Sequence, residues 1–364
     1  MRVTFVAPVP DMAGGIRVLA IYADRLRRRG HDVLIVSSPR PRPTLRQQLR
    51  SLMKGQGLIS WRARPESHFD GLAVPHHVLD RCRPVVDRDV PDADVVIASW
   101  WETAEWVLGL SPRKGAKAHF VQHHEVFDYL PKDRVAAVYR LPLHRIAISR
   151  WLVNVLAQRY GDDQVSLVPN SVDTDQFQAP PRGKQRVPTV GFVYSTVYWK
   201  GSGTIAEAIS LVRRDIPQLR VIAFGQEDPS PEFPLPAGAE YVKRPAQADI
   251  RHLYDRCDAW VCGSESEGFY LPMLEAMACR CPVVSTEVGG PVDCIENGVN
   301  GYLVPVRDAP ALARGIERVL GLPEPAWHAM SEAARRTATR YTWDDATGLF
   351  EKALATAIHR SKRS

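Results

Sequence analysis

Glu267 and Glu275 stand with seven residues between them, Gly268-Phe269-Tyr270-Leu271-Pro272-Met273-Leu274. The preceding run, Ala259-Trp260-Val261-Cys262, has the continuous apolar character of a buried parallel strand. Leu274-Glu275-Ala276-Met277-Ala278 has the composition of a helix, so the stretch between is a strand-to-helix loop. In a doubly wound sheet such loops lie at the carboxyl edge, where the amides opening the helix face an anion. Phosphate is the first candidate. Glu275, in the first helical turn, is placed to accept from ribose hydroxyls, and Glu267 stands on the loop beside the phosphate's outer side. Gly268, Phe269, Tyr270 and Leu271 then line the bound group. The plainer reading of the same carboxylates is that acidic side chains favour the positive end of a helix dipole.

Other residues of chemical interest also fall at expected strand ends. Gly14-Gly15 follows the first strand, where glycines let a ligand approach the backbone. Gln122-His123-His124-Glu125 follows Ala118–Val121, two histidines beside a carboxylate. Ser195-Thr196-Val197-Tyr198-Trp199-Lys200-Gly201 follows Thr189–Tyr194, with Lys200 available for phosphate. Between Arg40 and Arg64 lie seven basic side chains and no acidic one: Arg40, Arg42, Arg46, Arg50, Lys54, Arg62 and Arg64. Leu45, Leu49, Leu52 and Met53 recur among them at helical spacing, outlining a basic amphipathic helix. Its partner is either an anionic membrane surface or solvent alone, the helix then packing on its domain.

The elements that must position these residues alternate from the start. Val3–Ala7, a helix from about Ile16 to Arg29, and the strand His31–Val36 form a βαβ opening, hence a parallel sheet. Val95–Ala98, Ala118–Val121 and Arg145–Ile148 continue it. Ala179–Pro188 has linker composition. A second series follows, Thr189–Tyr194, Arg220–Phe224, Glu240–Val242, Ala259–Cys262, Pro282–Ser285 and Gly301–Val304, with helices such as Ile250–Arg256 between. The expected domains are 1–178, with a final helix 341–364 packing back on it, and 187–340.

The 364 residues suffice for two such cores, and 45% hydrophobic with 24% charged residues is a globular composition. The longest run without Asp, Glu, Lys or Arg, Val187 to Trp199, is too short to span a membrane, and the first residues read as a strand rather than a signal peptide. A cytoplasmic location is expected. The six cysteines include no C-x-x-C pair and no histidine at zinc-ligand spacing, so reduced thiols and no metal are expected. The net charge of +6 is one-sided: residues 1–180 hold 25 Lys+Arg against 19 Asp+Glu, and the remainder 22 of each. An anionic partner for the first half follows. Nucleic acid is disfavoured, since no aromatic-basic platform accompanies the charge.

The run from Glu267 to Glu275, with its Ala276 to Val284 continuation, resembles the E-x7-E motif of retaining glycosyltransferases of family 4. Val165 to Phe177 is similar to that family's Pro-Asn-Gly-Val-Asp-x-x-x-Phe, with Ser171 for the usual glycine, and Val288 to Asp293 resembles its Gly-Gly-x-x-Glu turn. The resemblance implies a GT-B architecture, two doubly wound Rossmann-like domains facing across a cleft. It implies retaining, metal-independent transfer of a sugar, rhamnose or another hexose, from a nucleoside diphosphate sugar to a cell-envelope glycan or lipid-linked acceptor. Gly14 and Gly15 would face the donor diphosphate. Lys200 matches a family lysine that grips it, while Ser195 stands where an arginine is usual, leaving helix amides or Arg244 to contribute. The Gln-x-x-Glu-x-Phe after Val121 is similar to a rhamnosyltransferase-like subgroup. Either Gln122 or His123 takes the family histidine's place there, His123 being favoured as catalytic with Glu267 and Lys200; Gln122, His124 and Glu125 would lie on the acceptor side. No organic cofactor is implied. A nucleotide-sugar epimerase on the same fold and a non-catalytic binding subunit are the alternatives.

Overall fold

The computed structural model describes residues 1–53, 55, 57–58 and 66–363, so Lys54, Arg62 and Arg64 of the basic stretch lie outside the described residues. The chain divides into two compact units, one of Met1–Ala147, Val155–Val168 and Thr347–Ser364, the other of Ile148–Asn154 and Pro169–Ala346. The division falls at 168/169 rather than at 178, because the segment after Pro169 packs with the second unit: Phe177 is buried against Tyr254 at 6.1 Å between ring centroids.

In the first unit the chain runs β1 (Arg2–Ala7), α1 (Gly14–Arg28), β2 (Asp32–Ser37), α2 (Leu45–Met53), β3 (His76–Val78), β4 (Val95–Ala98), α3 (Trp101–Leu108), β5 (Ala116–Val121), α4 (Lys132–Val138) and β6 (His144–Ala147). The helix α5 (Arg150–Tyr160), which belongs to the first unit from Val155, and the short β7 (Ser166–Leu167) follow. The seven strands are parallel, in the order β3-β2-β1-β4-β5-β6-β7. The five strands β1, β2, β4, β5 and β6 are largely buried on both faces, as crossover helices require, while the end strands β3 and β7 are not.

The second unit runs β8 (Thr189–Val193), α6 (Ser202–Asp215), β9 (Arg220–Gly225), β10 (Glu240–Lys243), α7 (Ile250–Tyr254), β11 (Ala259–Cys262), α8 (Leu271–Ala278), β12 (Val283–Thr286), α9 (Pro291–Cys294), β13 (Gly301–Val304), α10 (Ala309–Leu320) and α11 (Glu324–Thr339). Its six strands are again parallel, in the order β10-β9-β8-β11-β12-β13. The last helix, α12 (Trp343–Ser361), begins in the second unit and from Thr347 belongs to the first. There Phe350 stacks on Tyr22 at 4.4 Å, and Glu351 takes Arg29 and His31 at 2.8 Å each.

In both sheets the chain leaves the first strand in one direction and returns to its other side, so strand order reverses at β1/β4 and at β8/β11. Ligand crevices of doubly wound sheets open at such points, beyond the carboxyl ends of the strands. The loops there carry Gly14 and Gly15 after β1, Ser195 to Lys200 after β8, and Glu267 after β11. All six cysteines are free thiols. Among the described residues no helix is long and apolar enough to cross a membrane.

Candidate active site

The loops after β8 and β11 touch backbone to backbone. Gly201 has φ of 70°, and a Cβ there would lie 1.8 Å from the Gly263 carbonyl oxygen, so only glycine lets the two loops meet. Their contact sets a charged pair at the reversal. Lys200 Nζ lies 2.9 and 3.0 Å from the two oxygens of Glu267, and Ser264 Oγ donates to Glu267 Oε1 at 2.8 Å. The Glu267 side chain is 6% exposed and that of Lys200 38%. The carboxylate is thus enclosed and the ammonium reaches toward solvent. Thr286 Oγ1, at the end of β12, donates to the Ser264 carbonyl at 2.6 Å and fixes the loop from below. The Gly289-Gly290 turn completes the support: a Cβ on Gly289 would come within 2.3 Å of the Glu267 carbonyl oxygen.

Gly268, Phe269, Tyr270 and Leu271 carry the chain from Glu267 into α8. Tyr270 caps the helix in the left-handed region at φ 66°, a conformation costing about 1–3 kcal/mol for a residue other than glycine and typical of functional loops. Glu275 follows on α8, 4% exposed, with the Tyr254 hydroxyl donating to its Oε2 at 2.8 Å. Ser195 is bound into its own loop: its Oγ accepts from Val197 N at 3.2 Å, and Ser202 Oγ donates to its carbonyl at 2.7 Å. Arg244, considered as the replacement arginine, sits at the end of the edge strand β10 with φ of 49°, its Nε donating to the Gln226 carbonyl at 2.9 Å. The strand order places it two strands from β8.

The first unit gathers the other candidates. Gly14 and Gly15 open α1, where neither has a positive φ. A Cβ on Gly14 would meet nothing within 4 Å, and one on Gly15 would make only ordinary contact with Gln122. The fold itself therefore does not demand glycine at either position. Gln122 Nε2 donates to the Gly15 carbonyl at 3.0 Å, tying the end of β5 to the start of α1, while its Oε1 is buried with no partner among the described residues. His123 Nδ1 lies 3.1 Å from the His124 carbonyl, and its ring is 4.9 Å from Phe127. His124 Nε2 lies 2.7 Å from the Tyr160 hydroxyl, and burial, with Arg159 assisting, holds its pKa down to about 4. It is a neutral imidazole at pH 7.

Glu125 follows on the same loop. It is only 3% exposed, and its carboxyl accepts from Trp101 N at 2.9 Å at the start of α3. Burial raises its pKa well above the ordinary carboxylate range. The Tyr139 hydroxyl accepts from Glu125 N at 2.9 Å and donates to the His123 carbonyl at 3.1 Å, so Glu125 and Tyr139 together hold the histidine loop. Sequence reasoning missed Tyr254, Tyr139 and Trp101. Their contacts span tens of residues or depend on helix orientation, and no local pattern marks them. Among the described residues no three His, Cys, Asp or Glu side chains gather as metal ligands.

Two all-parallel doubly wound units, with paired carboxylates at the reversal of the second sheet, define the GT-B fold of nucleotide-sugar-dependent transferases. The model described as Glycosyltransferase Family 4 matches residues 12–176, and that described as Glycosyl transferases group 1 matches residues 173–337. Together they identify the chain as a GT-B glycosyltransferase of the family 4 kind. It is 30% identical over 148 residues to a putative glycosyltransferase, EpsD, of Bacillus subtilis, a match covering 39% of each chain. It is also 30% identical over 223 residues to a D-inositol 3-phosphate glycosyltransferase of Saccharomonospora viridis, covering 53% of this chain and 51% of that one. The matches thus span about half or less of these curated relatives. HepE of Anabaena, solved in complex with UDP, superposes over 98% of this chain and all of its own with a TM-score of 0.73 at 16% identity.

Proposed function

We propose that the protein transfers a hexose, with retention of configuration, from a nucleoside diphosphate sugar to a hydroxyl of a cell-envelope glycan or lipid-linked acceptor. The observation that carries this reading is the Lys200–Glu267–Ser264 cluster at the β8/β11 reversal, with Glu275 one helical turn into α8. In the transfer the bond from the sugar's anomeric carbon to the β-phosphate oxygen breaks, a bond to the acceptor oxygen forms on the same face, and the acceptor hydroxyl's proton passes to the departing diphosphate oxygen. The departing diphosphate gathers negative charge. Lys200 has three N–H donors, and its partly exposed ammonium would meet that charge while Glu267 holds the side chain in place. The amides opening α6 and α8 would add their share, so no metal is called for. Glu275 would accept from the donor ribose. In the first unit Gly14 and Gly15 would approach the diphosphate, and His123 would serve the sugar and acceptor. HepE, of like fold, has been solved with UDP and with UDP-glucose, which supports a nucleotide sugar as donor here.

The basic stretch from Arg40 would hold the enzyme at the cytoplasmic face of an anionic membrane, where lipid-linked acceptors reside. Helix α2 supports this reading: Gln48 and Ser51 turn inward, while Leu45 and Leu49 are 84% and 59% exposed beside Arg46 and Arg50. The test is to incubate the protein with UDP-, GDP-, ADP-, CDP- and dTDP-linked hexoses and measure nucleoside diphosphate release and protection against heat. One donor should be released or bound by the wild type and its release lost in Lys200→Ala. A protein that neither binds nor cleaves any of them is not a glycosyltransferase of this kind.

A further inference from the structure

The two carboxylates of the Glu267–Glu275 run are held by donors of different kinds. Glu267 has an ammonium, Lys200, and a serine hydroxyl. Glu275 receives a phenol, the Tyr254 hydroxyl at 2.8 Å, from the last residue of α7 on the neighbouring crossover. A buried donor fixed to the fold orients the carboxylate it meets.

Tyr254 is itself immobile. It is fully buried, its ring edge-on to Trp260 at 4.5 Å and to Phe224 at 6.0 Å, with Phe177 at 6.1 Å. Trp260 lies on β11 and Phe224 on β9, so the phenol is anchored to the sheet from which the Glu267 loop departs. Aromatic packing of this density leaves the hydroxyl little freedom. A carboxylate on a helical side chain has three rotatable bonds, and losing that freedom on ligand binding would weaken binding. An anchored donor removes part of that loss in advance.

We propose that Tyr254 is a positioning residue of the donor site, setting the Glu275 carboxylate in the orientation that accepts the ribose hydroxyls of the nucleotide. The inference rests on the donor-site reading above and adds a residue from another element to it. Its distinguishing consequence is selectivity: the Tyr254 hydroxyl matters only to ligands that carry ribose hydroxyls, whereas a mere packing role would affect every nucleotide alike.

Tyr254→Phe keeps the ring and removes the hydroxyl. Calorimetry with UDP, GDP, ADP and CDP, each beside its 2′,3′-dideoxy counterpart, is carried out on the wild type, Tyr254→Phe, Glu275→Gln and the double variant. For the diphosphate that binds the wild type most tightly, Tyr254→Phe should lose about three- to tenfold in affinity, the scale of one hydrogen bond. The dideoxy form should bind both proteins alike. The double variant should be no weaker than Glu275→Gln, since the tyrosine acts through the glutamate. Equal losses for both nucleotide forms, or no loss for either, overturn the proposal. A wild type that binds ribo and dideoxy forms equally overturns it too but leaves the donor site standing, and one that binds no diphosphate removes both.

Discussion

At the residue scale the donor site depends on which side chains the fold compels and which it merely permits. Lys200 is compelled twice, by the charge it would meet and by Glu267, which its removal would leave as an enclosed carboxylate with a serine donor. Lys200→Ala should therefore lower turnover by roughly a hundredfold or more and also cost stability, on the order of 3–5 kcal/mol for a buried pair and less here because the lysine is partly exposed. Steady-state kinetics beside thermal melts read both; a variant with near-normal turnover would transfer the phosphate role elsewhere. Gly14 is the converse, since nothing in the fold fills the space of a Cβ there. Gly14→Ala should leave the melting temperature unchanged or slightly raised, because alanine restricts the unfolded chain. Donor affinity should fall, and unchanged affinity would show that no ligand presses on that backbone. That Lys200 and Glu267 lie on loops at strand ends, with Glu275 on the helix that follows, was legible in the sequence. Their partnership was not, because Lys200 and Glu267 lie 67 positions apart and meet through the close approach of Gly201 to Gly263 and the Glu265 N–Trp199 carbonyl bond.

At the scale of elements the strands were read closely, β4, β11 and β13 to the residue, because continuous apolar runs between turn signals have few other uses. The three-residue β3 and the helices α3 and α4 were not foreseen, being short and carrying little periodicity. Helix α2 was legible as a basic amphipathic helix, but its outward apolar stripe was not, since sequence gives the period of a face and not its direction. That direction bears on the proposed membrane surface. Each basic side chain near an anionic surface contributes about 1 kcal/mol, and the exposed leucines would add apolar burial. Sedimentation with vesicles should show binding that rises with anionic lipid and falls with salt. Arg46→Gln with Arg50→Gln should weaken it at low salt and make its loss with salt shallower, while Leu45→Gln with Leu49→Gln should weaken it at every salt concentration and leave the salt dependence unchanged. Donor binding should persist in both. A wild type that ignores anionic vesicles at low salt makes α2 a solvated helix.

At the scale of the whole molecule the two units differ in how they meet acid. The first unit encloses three histidines in or beside its central strands, His119 and His144 buried and His124 half-buried, and each is held neutral. His119, in β5, is pushed down to about 3 by burial and Arg145. His124, beside Tyr160, and His144, in β6 near Arg360, both lie at about 4, burial being the first cause and a nearby arginine the second. A histidine whose folded pKa lies below its ordinary 6.5 stabilises the fold above that value, since the unfolded chain alone takes up the proton as pH falls. Its contribution is lost progressively from pH 6.5 down to about 4. Glu125 acts in the opposite sense, because its raised pKa means the folded state binds a proton first, but it is one group against three. In the second unit Asp258 and Asp293 are likewise raised by burial, so acid relieves a cost there. The first unit should therefore loosen first as pH falls from 7.5 to 5, with β5 and β6 exchanging their amide hydrogens faster while β11 and β12 hold. Hydrogen exchange read by mass spectrometry at the two pH values, corrected for intrinsic exchange, resolves the units separately. His144→Gln should flatten the first unit's acid response, because glutamine can take the Ser166 contact without a titrating proton. Equal protection of β5 and β6 at both pH values would mean that these histidines protonate in place, without opening the sheet.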